Sequence, residues 1–174
     1  TLNPTLNFQA GNIANLPIAK SIDNLKLKEV VTELVKIHKL DWDSKELSWD
    51  FKFNAISKRN INNFIIENTF SSFIKEQSHL IERVRNLEFE LNTLIAKAYN
   101  QTSISKPTPL SNVTLFANPV FTYGSTNSKK NDLRYQSEMI VELVSYSIGA
   151  MMGRYSLDRE GIVYSHSSNE GFKD

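Results

Sequence analysis

The sequence predicts a mainly α fold. It is built on a long antiparallel helical hairpin, a coiled-coil-like spacer, with additional helices, irregular loops and at most a minor strand. Three observations carry this. Phe70, Phe73, Gln77, Leu80, Val84, Leu87, Leu91, Leu94 and Ala98 alternate three- and four-residue steps, a heptad seam held for four repeats. A shorter amphipathic repeat precedes it, over residues 25–40. Residues 132–152 form a third helical stretch that is apolar on nearly every face after its first turns.

Taken in order, residues 1–22 read as extended or irregular, because Pro4 and Pro17 limit any helix. Asp23 is placed to cap the helix that follows, in which Leu27, Val30, Val31, Leu34, Val35, Ile37 and Leu40 keep helical spacing. Residues 41–60 hold both tryptophans, Trp42 and Trp49, with Phe51, all expected to pack on a neighbouring element. The long helix starts at residue 61 or 68 and runs to 99, with Gln77 as the one polar residue of its seam. Residues 100–131, rich in Ser, Thr and Asn and holding Pro107, Pro109 and Pro119, read as a loop. The run around Val113, Leu115, Val120 and Tyr123 allows one short strand. The last helix is expected to lie buried and antiparallel against the seam helix. Ser145, Gly149 and Gly153 would permit its close approach, and Gly153 would end it. This organises the chain as a linker with short helices over 1–60 and a helical spacer hairpin over 61–174, interrupted by the 100–131 loop.

Composition excludes several chemistries. With no Cys among 174 residues there is no disulfide, thiolate metal site or Cys nucleophile. His38, His79 and His166 are too widely spaced for a zinc site. A formal charge of +1 provides no global field for nucleic acid, so any DNA contact must be local. No apolar run approaches a membrane span and no signal peptide opens the chain, so a cytoplasmic protein is expected. The chain opens without Met in a patterned segment and stops in a polar one, and so reads as a piece of a longer polypeptide.

Local basic clusters are the candidate DNA contacts: Lys129, Lys130 and Arg134 where a loop enters the last helix, and Arg154 and Arg159 beyond its exit. Lys52, Lys58 and Arg59 form a further cluster. Asn118-Pro119-Val120-Phe121 is similar to the Asn-Pro-Pro-Tyr/Phe signature of amino-methyltransferases, in which the Asn and the prolyl carbonyl hold a flipped base's amine. Val120 replaces the second Pro, however, and no Gly-rich cofactor turn lies upstream, so the segment reads as a turn. Gly149 to Gly153 lacks the Gly-Lys-Ser/Thr of a phosphate loop and reads as packing.

Three segments together resemble the PglX-like adenine-specific DNA methyltransferases of bacteriophage-exclusion (BREX) defence systems and related fused restriction–modification proteins. The most specific is Ser145-Tyr146, Gly149 and Gly153-Arg154-Tyr155-Ser156-Leu157-Asp158. The others are Asn7-Phe8, Gly11-Asn12-Ile13 and Leu16-Pro17, and Trp42-Asp43-Ser44 with Ser48-Trp49-Asp50-Phe51. The family continues Arg-His-Pro after that Phe, whereas this chain has Lys52-Phe53-Asn54. The resemblance implies an internal piece downstream of a catalytic domain that uses S-adenosylmethionine to methylate adenine N6. This piece would itself be non-catalytic, binding no cofactor or metal. It would link chemistry to the recognition of double-stranded DNA, alone or with other defence or restriction–modification subunits. The alternative is a stand-alone specificity or coiled-coil interaction module that assembles with a separate methyltransferase.

Overall fold

A computed structural model describes residues 10–22, 25–57, 66–101, 106–124 and 128–163. Among these the fold is mainly α: α1 (Ala10–Ala14), α2 (Leu25–Asp43), α3 (Ile66–Ala98), α4 (Pro119–Tyr123) and α5 (Ser128–Met151), with single 3-10 turns at Lys20–Ile22 and Leu110–Asn112. The expected cap at Asp23 lies outside the described residues.

The hairpin is antiparallel, but its two arms are α2 and α3. Val30, Leu34 and Ile37 of α2 and Ile81, Val84 and Leu87 of α3 form one core, with Leu80 and Leu91 packed against it. The register is set at the edges, where Lys26 meets Glu90 at 2.7 Å and Arg83 grips Glu33 through two bonds of 2.8 and 2.7 Å. Arg83 holds the Glu33 carboxyl below its ordinary range. The pairing crosses the boundary expected near residue 60. The seam read on α3 is real, since all its members are buried or half-buried, Gln77 included. A heptad seam does not specify its partner, and the stripe of α2 lies nearer along the chain. At its far end α3 stops on Asn100, whose φ of 53° lets the amides of Asn100 and Gln101 return to the carbonyls of Lys97 and Ala96.

The expected short strand does not form. Val113 and Leu115, both fully buried, complete the α2–α3 core as an extended plug. Among the described residues no segment pairs with it, and its β-forming residues serve packing. Asp41 fixes this plug: its carboxylate accepts the backbone amides of Phe116 at 2.6 Å and Ala117 at 3.0 Å. Burial raises the Asp41 pKa above its ordinary value despite these bonds. Nothing in the spacing of the sequence signals this long-range anchor.

The last helix corrects a further expectation. α5 crosses only the N-terminal part of α3, where Tyr135 and Met139 meet Phe73 and Ile56. Leu143 packs beside them and Tyr146 and Ala150 pack in a separate cluster, whereas Leu133, Ile140, Val141, Val144, Ile148 and Met151 are exposed. No described helix is long and apolar enough to cross a membrane.

Candidate functional site

The candidate site is the cap that closes α5. Gly153, at φ 79°, returns its amide to Ala150 O at 3.1 Å, and Arg154 returns its amide to Gly149 O at 2.8 Å. This is the paired-bond stop of a Schellman motif, which requires a left-handed residue at the position of Gly153. The chain then doubles back. Tyr155 bridges Ile162, and Val163 N donates to Arg154 O at 2.8 Å. Gly161, at φ 77°, donates its amide to Lys52 O at 2.9 Å, and a Cβ there would stand 3.3 Å from Phe51 O.

Three rings hold this cap. Tyr155 stacks on Tyr146 with centroids 4.9 Å apart and an interplanar angle of 22°. Phe51 sets its edge on both, at 5.6 Å from Tyr155 and 6.0 Å from Tyr146. Burial raises both tyrosine hydroxyls above their ordinary pKa. Two of the three segments that carry the family resemblance therefore meet in one aromatic cluster. The first segment lies elsewhere, with Pro17 O accepting the Tyr99 hydroxyl at 2.6 Å near the end of α3.

Gly149 shows why its position is small. A Cβ there would stand 2.8 Å from two carbons of the Tyr155 ring. The expected close approach is thus made by a ring rather than by another helix. Gly149→Ala gains up to about 1 kcal/mol of helix propensity but overpacks a buried ring at about 1–3 kcal/mol. A net loss is expected, read as a lower urea midpoint at unchanged slope.

The five basic candidates fall into two groups. Lys129 and Lys130 are exposed in the first turn of α5. Arg134 is already engaged, 3.1 Å from Glu138 and with its guanidinium 4.5 Å from the centre of the Tyr123 ring. Arg154 is exposed on the cap and Arg159 on the loop beyond it. At 1.5 Å per residue the two groups stand about 35 Å apart at opposite ends of α5, so they form no single patch. Lys52 pairs with Glu160 at 2.7 Å, and Lys58 and Arg59 lie outside the described residues.

Sequence reasoning missed the groove beside the cap. A cavity of about 540 Å³ runs between residues 42–54, α4 and α5. Trp42 tilts against Phe116 at 5.6 Å on one wall, and Lys45 reaches Glu142 of α5 at 2.7 Å. The Trp42-Asp43-Ser44 signal was visible, but its partner on α5 was not.

The Asn118-Pro119-Val120-Phe121 segment is the start of α4. Asn118 Oδ1 accepts Val120 N at 3.1 Å as the helix cap, while its amide donates to the carbonyls of Leu110 and Val113, each at 2.8 Å. Asn118 is 1% exposed, so its amide is fully committed and cannot hold a base. The turn reading holds. The other small-residue run, Gly149 to Gly153, lies inside α5 and its cap. Neither run is therefore free to hold a flipped base or to cradle a phosphate. Among the described residues there is also no group of three or more possible metal ligands.

No family model matches the chain. Over 173 residues it is 35% identical to the adenine-specific methyltransferase BrxX of Escherichia coli O9:H4 (strain HS), an alignment covering 98% of this chain and 14% of that protein. The chain is related to the PglX-like adenine-specific methyltransferases. The adenine-specific methyltransferase PglX of Lacticaseibacillus casei (strain Zhang) is 29% identical over 169 residues, covering 94% of this chain and 13% of that protein. The chain thus spans about a seventh of the length of these curated relatives. Both alignments run across α2, α3, α5 and the aromatic cap, so the segment related to these methyltransferases is the helical assembly itself.

Proposed function

We propose that this chain is a non-catalytic helical spacer of an S-adenosylmethionine-dependent adenine-N6 DNA methyltransferase acting in phage defence or restriction–modification. It would hold DNA recognition at a fixed distance from methyl transfer. The observation that carries this reading is the match to two adenine-specific methyltransferases over nearly all of this chain and only a seventh of theirs. The Asn118 amide is consumed by the fold, so the chemistry is assigned to residues outside this chain. A spacer must be stiff. The 33-residue α3 is about 50 Å long at 1.5 Å per residue, and α2 and the Val113–Leu115 plug brace it.

Within this reading, Arg154 and Arg159 are the best-placed phosphate contacts, because the Schellman cap and the aromatic cluster fix the backbone from which they project. Lys129 and Lys130 would make a second contact at the far end of α5, while Arg134 serves Glu138 and Tyr123. The test is duplex-DNA binding by the longer polypeptide across a salt series. Arg154→Ala with Arg159→Ala is expected to weaken binding without regard to sequence and to reduce the log–log salt slope by about one to two. Unchanged affinity and slope would remove these residues from the interface. A calorimetric isotherm for S-adenosylmethionine with the 174-residue chain would overturn the non-catalytic reading. The alternative, a stand-alone specificity module, predicts co-purification with a separate methyltransferase subunit.

A further inference from the structure

We propose that the outward face of α5 is a docking seam for an apolar helix supplied by the polypeptide outside residues 1–174. The proposal rests on the reading above, that this chain works within a longer methyltransferase. Leu133, Ile140, Val144, Ile148 and Met151 are 51% to 87% exposed. At 100° per residue they fall in one sector of about 80° running the length of the helix. Tyr135, Met139 and Tyr146, which bury α5 against the rest of the chain, lie on its opposite side. Val141 and Met152, also mostly exposed, widen the stripe along one edge. Together these side chains line one exposed apolar stripe along α5, the kind of surface that on soluble proteins accompanies an interaction site.

The face is built for a helix. Ser137 lies in the same stripe and Ser147 along its edge, and each hydroxyl turns back onto its own helix, to Leu133 O at 2.9 Å and Leu143 O at 2.7 Å. Their donors are satisfied, so they present small, quiet side chains that leave holes for a partner's larger ones. From residue 137 to 151 the sector carries no charge, since Glu138 and Glu142 point elsewhere, to Arg134 with Tyr123 and to Lys45. The occupant is therefore an uncharged aliphatic stripe.

A second copy fits poorly. Antiparallel self-pairing centred on the stripe, near residue 142, sets Lys129 and Lys130 beside Arg154 of the other copy. Parallel pairing sets Lys129 and Lys130 against themselves. Either arrangement places cations on cations. The relatives supply the other source, because six-sevenths of their length lies beyond the aligned segment.

Because the chain has no cysteine, a thiol can be introduced as a probe. Val144→Cys on the seam and Ser72→Cys, on the exposed side of α3, are placed in the longer natural polypeptide and in the 174-residue chain. Maleimide labelling is followed site by site by mass spectrometry, with circular dichroism confirming helix content. In the 174-residue chain, sedimenting as a monomer, both sites are expected to react at similar rates. In the longer polypeptide the position-144 thiol is expected to react about tenfold or more slowly, as a protected site does. An equal rate at position 144 in both polypeptides overturns the proposal. Slow labelling in the 174-residue chain overturns it too, in favour of a second copy if the chain sediments as a dimer, or of one of its own segments if it is a monomer. Failure of the underlying reading is seen separately, as a longer polypeptide that does not methylate adenine in duplex DNA.

Discussion

Tyr155→Ala is expected to destabilise the chain by about 3–5 kcal/mol, the cost of deleting a buried aromatic ring. It should also remove much of the near-ultraviolet circular dichroism. The ring is 5% exposed and is held on three sides: Tyr146 stacks on it, Phe51 meets it edge-on, and Gly149 lies beneath it. Its loss releases the return of the chain, because Tyr155 also makes the bridge to Ile162 that sets Val163 on Arg154. For a chain of this size each kcal/mol lowers Tm by about 2–4 °C, so a drop of about 10 °C is expected. Tyr155→Phe keeps the ring and should cost no more than about 1.5 kcal/mol, the range of one hydrogen bond. If the two variants are equally destabilised, the hydroxyl rather than the stack holds the cap. If neither is, the cap adds nothing to the fold, and the rigid placement of Arg154 proposed for DNA binding falls with it.

How far the sequence discloses this arrangement differs from element to element, for physical reasons. The helical spacing of Val30, Leu34 and Ile37, and the seam from Phe70 to Ala98, are local periodicities, and both helices appear where those periodicities place them. Partner choice is not local. The α3 seam fits any apolar stripe, and α2 rather than α5 fills it. The same ambiguity hid the open face of α5: a helix apolar all round is expected to be buried, but nothing in it says whether the cover comes from this chain. The aromatic cap was legible as Gly153-Arg154-Tyr155, an unusually specific run after a helix stop. Its contact with Phe51, about a hundred residues earlier, was not legible, because one Phe among ten carries no mark of its partner. The basic candidates show the opposite error. Lys129 and Arg154 look like parts of one system along the chain, yet the 24-residue α5 separates them, one in its first turn and the other just past its end. Asp41 was overlooked for a related reason, since its two amide partners lie more than seventy residues away.

Asn118→Ala is expected to cost about 2–4 kcal/mol, from the loss of a helix cap and of two hydrogen bonds inside the core. The geometry assigns the side chain without ambiguity. Two carbonyl oxygens, those of Leu110 and Val113, can face only the amide nitrogen, which leaves Oδ1 for Val120 N. Asn118→Asp separates the parts of this count. It keeps the cap acceptor and nearly the same volume, but sets an acceptor against two carbonyls at a fully buried position. The carboxylate form is therefore strongly disfavoured in the folded chain, and the pKa of the new acid is raised above the ~3.9 of a free aspartate. A folded state that holds its proton more tightly than the unfolded state loses stability as pH rises from the unfolded pKa to the folded one. Asn118→Asp should therefore be the less stable of the two variants at pH 7, and should regain stability relative to the unsubstituted chain as pH falls toward 4. Urea melts at the two pH values read this directly. A pH-independent difference between Asn118→Asp and the unsubstituted chain would mean that solvent reaches the site. The segment would then be open enough to hold a ligand, and the structural role assigned to the one Asn-Pro-x-Phe run in the chain would fail.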